Sequence, residues 1–368
     1  VNRLPSVTIR DVAREAGVSL ATVSRALNDV GQVTPDTRQR VRAVATRLGY
    51  VPHSGARSLI TKRTGTLGVL LPDLYGEFFS ELIRGIDRTA QRHGFHMLLA
   101  SSHSDAREIS AAVGNMRGRV DGFVIMSPDV GALSVIADLA QQFPAVVLGA
   151  GTELGAYATI AVANFDGAVS MMRHLVASGY QRIAFLRGPA GNVEATDRLR
   201  GARAGAKEAP HIVVREYAGD FRQELGYETT QRLLRSRERP DAIFCANDAM
   251  AIGVIGALHE AGVRVPDDIG VVGFDDIPIA RFLTPPLTTV RVPIADLGER
   301  ATERLIDALK GGVPLAAHRE VRWSHAACHP RCRRAVSARR CTANDCFGAW
   351  YRHGRRHRTG DRGDRYRT

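Results

Sequence analysis

No run of about 18 apolar residues occurs in this sequence, so no membrane-spanning helix is expected. The first residues, VNRLPSVTIRDVA, hold no apolar signal-peptide core, and a cytoplasmic protein is the expectation. The body of the chain has no Gly-x-Ser-x-Gly elbow, no Walker loop and no histidines at metal-binding spacing, so catalysis finds no support and no cofactor or metal is expected. The glycines of VVLGAGTELG (Gly149, Gly151 and Gly155) come near a dinucleotide-binding fingerprint, but the last spacing is one residue too long and a strand-like AYATIAVAN follows. What is present is 368 residues with 44% hydrophobic content, enough for two or three globular domains. The net charge is +12 and unevenly spread: residues 1–62 carry +6 and residues 324–368 carry +9, which leaves the long middle mildly acidic. A basic head on an acidic body suits a tethered DNA reader, because phosphate attraction then acts at one end only.

The head has the pattern to match. Thr8 is placed to cap a first helix with Asp11 completing a capping box, and Val12, Ala13 and Ala16 form its small apolar face. Gly17 turns the chain. Ser19 is placed to cap a second helix whose Val23, Ala26 and Leu27 face inward, leaving Leu20, Ala21, Thr22, Ser24 and Arg25 outward. A third helix starts at Thr34-Pro35-Asp36, with Val41, Val44, Ala45 and Leu48 as its stripe. This is a helix-turn-helix pattern, and its second helix fits a major groove. Arg25 is the foremost candidate for a base contact, since a guanidinium can bond two acceptors of guanine.

These three helices, followed at once by YVPHSGARSL, resemble the headpiece and linker of the lactose repressor (LacI/GalR) family of bacterial transcription regulators, and the match runs to about residue 320. The resemblance implies that Leu20 and Ala21 select bases; neither can hydrogen bond, so they would read by apolar contact with thymine methyls. Thr8, Ser19, Thr22, Ser24 and Thr34 complete the candidate DNA contacts, holding phosphates and register. It further implies that residues 51–62 fold into a hinge helix only on DNA, with Ala56 entering the minor groove and Leu59 wedging into the central base step. His53 departs from the family's usual Asn, and Gly55 weakens any helix by roughly 1 kcal/mol.

From Gly65 onward, short apolar runs (TLGVLLP, HMLLASS, GFVIMSP, AVVLGA, RIAFLRG, AIFCAN, IGVVGFDD) alternate with helical stretches, which predicts a doubly wound α/β body. The fold class is thus an all-α helix-turn-helix headpiece plus two parallel-sheet subdomains, of periplasmic-binding-protein type by the resemblance. The expected boundaries are 1–50 for the headpiece, 51–62 for the hinge and 63–323 for the core. Within the core the N-subdomain would be 63–163 and 292–312, and the C-subdomain 164–291 and 313–323. Ile294 to Leu309 reads as an amphipathic helix, with Leu297, Ala301, Leu305 and Leu309 on one stripe, and the resemblance puts it in the N-subdomain.

Ligands in such sheets bind outside the carboxyl ends of the strands, here in the cleft between subdomains. Those ends carry Asp73, Phe78, Phe79, Ser101, Ser102, Ser127, Asn164, Asp166, Arg198, Phe221, Asn247, Asp248, Asp275 and Asp276. Carboxylates, amides and a guanidinium beside aromatic faces suit a sugar or a ring of nucleobase size. By family position Phe79, Arg198, Phe221, Asn247 and Asp275 are the leading effector contacts, with Asp73, Phe78, Ser127 and Asn164 alongside. Asp248 and Asp276 equally fit a helix-capping role, and either phenylalanine equally fits the core.

Residues 324–368 differ from everything before: no Leu, Ile, Met, Lys, Glu or Gln, but twelve Arg and four of the chain's five Cys. Such a tail cannot form a core. It is expected to be disordered or the product of a shifted reading frame, in which case the C-subdomain would lack its last strand. An Arg-rich nucleic-acid tail and a zinc site on Cys328, Cys332, Cys341 and Cys346 are the other readings, though the cysteine spacings fit no common zinc pattern. The whole reads as a homodimeric repressor of a near-palindromic operator on double-stranded DNA, controlled by a small molecule, with no membrane partner. Its rivals are a solute binder of periplasmic type and a sugar-modifying α/β enzyme.

Overall fold

Apolar runs of four to six residues are too short for a helix to bury, and TLGVLL, GFVIM, AVVL and AIFC each form a buried strand, while HMLLAS forms a partly exposed edge strand. The structure, a computed structural model, describes residues 7–29, 31–50, 63–103, 105–127, 130–149, 158–311, 315, 319–322 and 325–327. The headpiece is three helices, α1 (Ile9–Ala16), α2 (Leu20–Asn28) and α3 (Pro35–Leu48), packed around Val12, Ala13, Ala16, Val23, Ala26, Val41, Val44 and Ala45. Gly17 makes the α1–α2 turn at φ 63°, a conformation that would strain any residue with a Cβ.

The body begins with β1 (Thr66–Leu71), α4 (Glu77–Arg92), β2 (His96–Ser101), α5 (Ala106–Met116), β3 (Gly122–Met126), α6 (Leu133–Gln142), β4 (Ala145–Leu148) and β5 (Ala158–Val162). The second lobe follows with α7 (Asn164–Ala177), β6 (Arg182–Leu186), α8 (Val193–Lys207), β7 (Val213–Tyr217), α9 (Gln223–Leu234), β8 (Ala242–Cys245), α10 (Asp248–Glu260), β9 (Gly270–Asp275) and β10 (Thr288–Arg291). The chain then forms α11 (Ile294–Gly311), β11 (Arg319–Arg322) and β12 (His325–Ala327). The first sheet has the order β11-β5-β4-β3-β1-β2 and the second β12-β10-β9-β8-β6-β7. Every pairing is parallel except β10 with β12. Each sheet therefore starts from its second-formed edge strand and reverses direction between its first and third strands, where doubly wound folds open a crevice.

Helices cover both faces of the first sheet. Leu67, Val69 and Leu71 face Leu82 and Ile86 of α4, while Leu70, Phe123 and Ile125 face Ile109, Met116 and Ile136. Burying each such side chain contributes about 1.5–3 kcal/mol. Helix α11 packs against α4 and this sheet, with Leu297, Ala301 and Leu305 buried. Gly85 makes that contact close: a Cβ there would lie 2.0 Å from the Ala295 carbonyl oxygen. The second sheet has Phe185 and Phe244 edge-to-face at 5.0 Å in its interior.

The chain passes between lobes three times: from β5 to α7, from β10 to α11, and from β11 to β12. Two expectations need correction. Residues 319–322, assigned to the C-subdomain, pair with β5 in the first sheet, because β5 would otherwise present an open edge there. The third passage thus comes after Arg322 rather than after Gly312. The second sheet, moreover, has a last strand, since His325–Ala327 pairs antiparallel with Thr289 to Arg291, so regular structure extends past residue 324. Gly151, Gly155, the hinge at 51–62 with Ala56 and Leu59, and the tail from residue 328, including its four cysteines, lie outside the described residues. Among the described residues no helix is long and apolar enough to cross a membrane.

Candidate functional site

The headpiece presents its chemistry outward. Asp11 accepts hydrogen bonds from the Thr8 backbone N–H at 3.0 Å and the Thr8 hydroxyl at 2.7 Å, and these bonds hold its carboxyl below the usual aspartate range. Ser19 Oγ accepts from the Thr22 backbone N–H at 3.1 Å and lies 2.9 Å from Thr22 Oγ1, so α2 starts with a side-chain cap. Leu20 is 44% exposed, and Ala21 and Arg25 are exposed too. Leu20 therefore does not serve the headpiece core. Thr22 and Ser24 are half-buried, and the Ser24 carbonyl accepts from the Asn28 side chain. At the start of α3 the Thr34 hydroxyl donates to Thr37 Oγ1 at 2.9 Å rather than capping a backbone N–H. Several other basic residues of the head are tied up: Arg42 to Asp29 at 2.8 Å, Arg47 to Glu15 at 2.7 Å and Arg14 to Asp11 at 2.6 Å. No such pairing engages Arg25 among the described residues, and its stem and Nε lie beside Gly31.

The body does the reverse and gathers its charges inside. Arg198 on α8 is 3% exposed. Its Nε donates to Asn164 Oδ1 at 2.8 Å, its Nη1 to the Ala246 carbonyl at 2.6 Å, and its Nη2 lies 3.0 Å from Asp275 Oδ1. The guanidinium sits 3.9 Å from the ring centre of Phe274 and 5.7 Å from that of Phe221. One side chain thereby joins the first residue of α7, the end of β8, the end of β9 and the loop after β7. Asn247 serves the same loop, donating from Nδ2 to the Phe221 carbonyl at 3.0 Å while its Oδ1 caps the Met250 N–H. Phe221, Asp275 and Asp276 have φ of 71°, 116° and 55°. Such backbone costs about 1–3 kcal/mol per residue and persists where the surroundings enforce it.

Burial shapes the acids around Arg198. It pushes the Asp275 carboxyl up to about 7, with Arg198 opposing and the negative charge of Glu194 adding to the rise. Asp248 is pushed well above the usual range by burial and by Asp275. Its carboxylate accepts from the Thr289 hydroxyl at 2.5 Å and the Ile277 N–H at 2.9 Å, so it pins α10 to β10 and to the turn after β9. The capping role open to Asp248 from sequence falls to Asn247 instead, and Asp248 ties α10 to other segments. Asp276 pairs with Arg291 at 2.6 Å.

The first-lobe candidates stand on the opposite wall. Asp73 Oδ1 accepts from the Leu74 and Tyr75 N–H groups and shapes the loop into α4. Phe78 and Phe79 are half-buried, edge-to-face at 5.5 Å, and both pack on the core. Ser127 is 1% exposed, and its hydroxyl has no hydrogen-bond partner among the described residues. Ser101 and Ser102 donate to the Pro72 and Leu71 carbonyls, a structural use. The walls meet where Glu77 Oε2 of α4 accepts from the Ile279 N–H at 2.8 Å.

Sequence reading missed Glu194, in the first turn of α8, which is 7% exposed. Burial raises its carboxyl, while Arg198 and a hydrogen bond with Asn164 oppose the rise. It also missed Phe274 under the guanidinium. An acid just after the Asn192 cap looks like an ordinary helix-start charge, so only the fold reveals Glu194.

Two family models match the chain: bacterial regulatory proteins of the lacI family over residues 8–53, and the periplasmic binding protein-like domain over residues 172–325. The ribose operon repressor of Escherichia coli (strain K12) is 36% identical over 316 residues, covering 81% of this chain and 92% of that protein. The structure of the lac repressor dimer bound to operator and the anti-inducer ONPF aligns with a TM-score of 0.78 and 31% identity, over 87% of this chain and 97% of that one. A LacI family transcriptional regulator from Enterococcus faecium with bound ribose aligns with a TM-score of 0.63 and 26% identity, over 71% of this chain and 96% of that one.

Proposed function

The chain belongs to the lacI family of bacterial regulatory proteins, and from that premise we propose how its two chemistries divide the work of a DNA-binding, ligand-controlled repressor. Helix α2 enters the major groove with Arg25 on guanine and Leu20 and Ala21 against thymine methyls, while Thr8, Ser19, Thr22, Ser24 and Thr34 hold phosphates. Two copies sit on a near-palindromic operator, as in the lac repressor dimer on its operator. For Ala56 and Leu59 a minor-groove role rests on the sequence alone. A regulator of this kind works where its DNA is, in the cytoplasm.

The effector is a small polar molecule, a sugar by likeness to the regulator that holds ribose, and it lies between Asp73, Phe78, Phe79 and Ser127 on one wall and Asn164, Arg198, Phe221, Asn247 and Asp275 on the other. The observation that carries this is the gathering of four segments onto the one buried guanidinium of Arg198, at the carboxyl ends of the second sheet. Asn164 is both a partner of Arg198 and the first residue after the first passage between lobes, so a ligand that pulls on the cluster also acts on that passage. The ligand shifts operator affinity only by its difference in affinity for the two cleft states. The test is to select a binding site from random DNA with the full chain, then titrate sugars against the complex by fluorescence anisotropy. A selected palindrome whose affinity changes with a sugar in the wild type, but not in Asp275→Ala, is expected. Failure to enrich any sequence would refute the head's role, and an unaltered sugar response in Asp275→Ala would move the effector site elsewhere.

A further inference from the structure

The charge balance of the cleft selects among small polar molecules. Among the described residues Arg198 is the only buried cation, against four buried carboxylates: Glu194, Asp241, Asp248 and Asp275. Asp241 lies at the far end of the second sheet, bonded to the Gln181 and Arg182 N–H groups, and Asp248 is occupied by Thr289 and Ile277. Glu194 and Asp275 remain, sharing one guanidinium that already donates to Asn164 and Ala246 and lies 3.0 Å from Asp275 Oδ1. The buried Oδ1 of Asp275 contacts Arg198 without an aligned hydrogen bond.

Glu194 also faces the other lobe. A Cβ on Gly149, at the end of β4, would lie 3.0 Å from Glu194 Oε1, so this carboxylate reaches from α8 to the first sheet. Ser127 occupies the next register position to Gly149, since Met126 pairs with Leu148, and its buried hydroxyl is without a partner among the described residues. Acceptors and negative charge thus converge on one spot between the lobes, where the one buried cation among the described residues, Arg198, is already held by Asn164, Ala246 and Asp275. An anionic ligand would meet Glu194 head-on, whereas a protonated nitrogen would complete it.

We propose that the effector carries an amine, as in an amino sugar, and that Glu194 is the residue that recognises it. The inference rests on the cleft being the effector site. It predicts that an amino sugar binds the full-length protein about tenfold more tightly than its neutral twin, the gain expected of one added charge-assisted hydrogen bond, and that the phosphorylated twin binds weakest.

The experiment is a thermal-shift titration at pH 7 of wild type and Glu194→Gln with matched sets: glucose, glucosamine and glucose 6-phosphate; galactose, galactosamine and galactose 6-phosphate; ribose and ribose 5-phosphate. The expected result is an amine-first order in the wild type that shrinks to within about twofold of the neutral sugar in Glu194→Gln. A panel led by a neutral or phosphorylated sugar overturns the amine while leaving the cleft as the site. An amine preference that survives Glu194→Gln overturns the role of Glu194. A flat panel counts against the amine and the sugar reading of the cleft together. If Glu194→Gln does not fold, the order within the wild type decides alone.

Discussion

Arg25 and Arg198 are the same side chain put to opposite uses. Arg25 stands exposed on a two-turn helix and is engaged by no acid among the described residues, whereas Arg198 is 3% exposed and reaches an amide, a carbonyl, a carboxylate and two aromatic rings. An exposed guanidinium contributes little to stability and keeps its donors for a partner; a buried one is built into the fold, and removing it leaves uncompensated charge behind. The head thus carries its polar groups on the outside of a small core, and the body gathers its own inside a large one. Stability and function should therefore separate in the head and stay coupled in the body.

The largest test of that contrast is Arg198→Ala. Stranding Asp275 and Glu194 without their cation should cost about 3–5 kcal/mol, visible as a lower urea midpoint, and should abolish the effector response while the folded protein still binds its operator. A stability unchanged within error would mean that the cluster is not held together by its guanidinium. The second test is pH. The native Asp275 carboxyl, raised from 3.8 to about 7, holds its proton more tightly than the unfolded one, so the body should lose stability as pH rises between those values. Asp11 in the head is lowered, so its contribution should be present above the ordinary aspartate range and vanish as the solution is acidified through the lowered value. Melting followed by separate probes in head and body should show the two opposite slopes, and Asp275→Asn should reduce the body's slope, to which Asp248 and Glu194 also contribute, while leaving the head's unchanged.

Arg25→Ala comes third, with a loss of about 1–3 kcal/mol in specific operator binding, roughly fivefold to 150-fold, and no change in melting temperature. A drop in melting temperature with this variant would break the distinction drawn here. Ser19→Ala is the smallest: loss of the α2 cap should cost about 1 kcal/mol of headpiece stability and leave the body's transition untouched, as calorimetry would show.

Much of this was legible in the sequence because the relevant signals are local. TLGVLL, AVVL and AIFC are continuous apolar runs, and Thr8, Ser19 and Pro35 punctuate the head's helices through neighbours three or four residues away. What escaped depends on distant pairing. Arg-Glu-Val-Arg at 319–322 has one apolar residue and becomes a strand only because β5 offers it a parallel edge. The same holds for His325–Ala327 against β10. Arg198 and Asp275 could be named from family position, but Glu194 could not: its significance comes from Gly149 on the other lobe, 45 positions away in the chain.

The three passages between lobes have a mechanical consequence. They leave from β5, β10 and β11, and they lie along one border: β11 and β5 end the first sheet, and β12 and β10 end the second. A single tether would let one lobe swivel about any axis. Three tethers in a row act as the spine of a book, stiff against twisting and sliding, with one soft rotation that opens and shuts the pages. Because α4 and α11 touch backbone to backbone at Gly85, the first lobe turns as a solid cover about that spine. The body is thereby built for one soft motion between its lobes, and a molecule bound between the pages would have to set only that one coordinate.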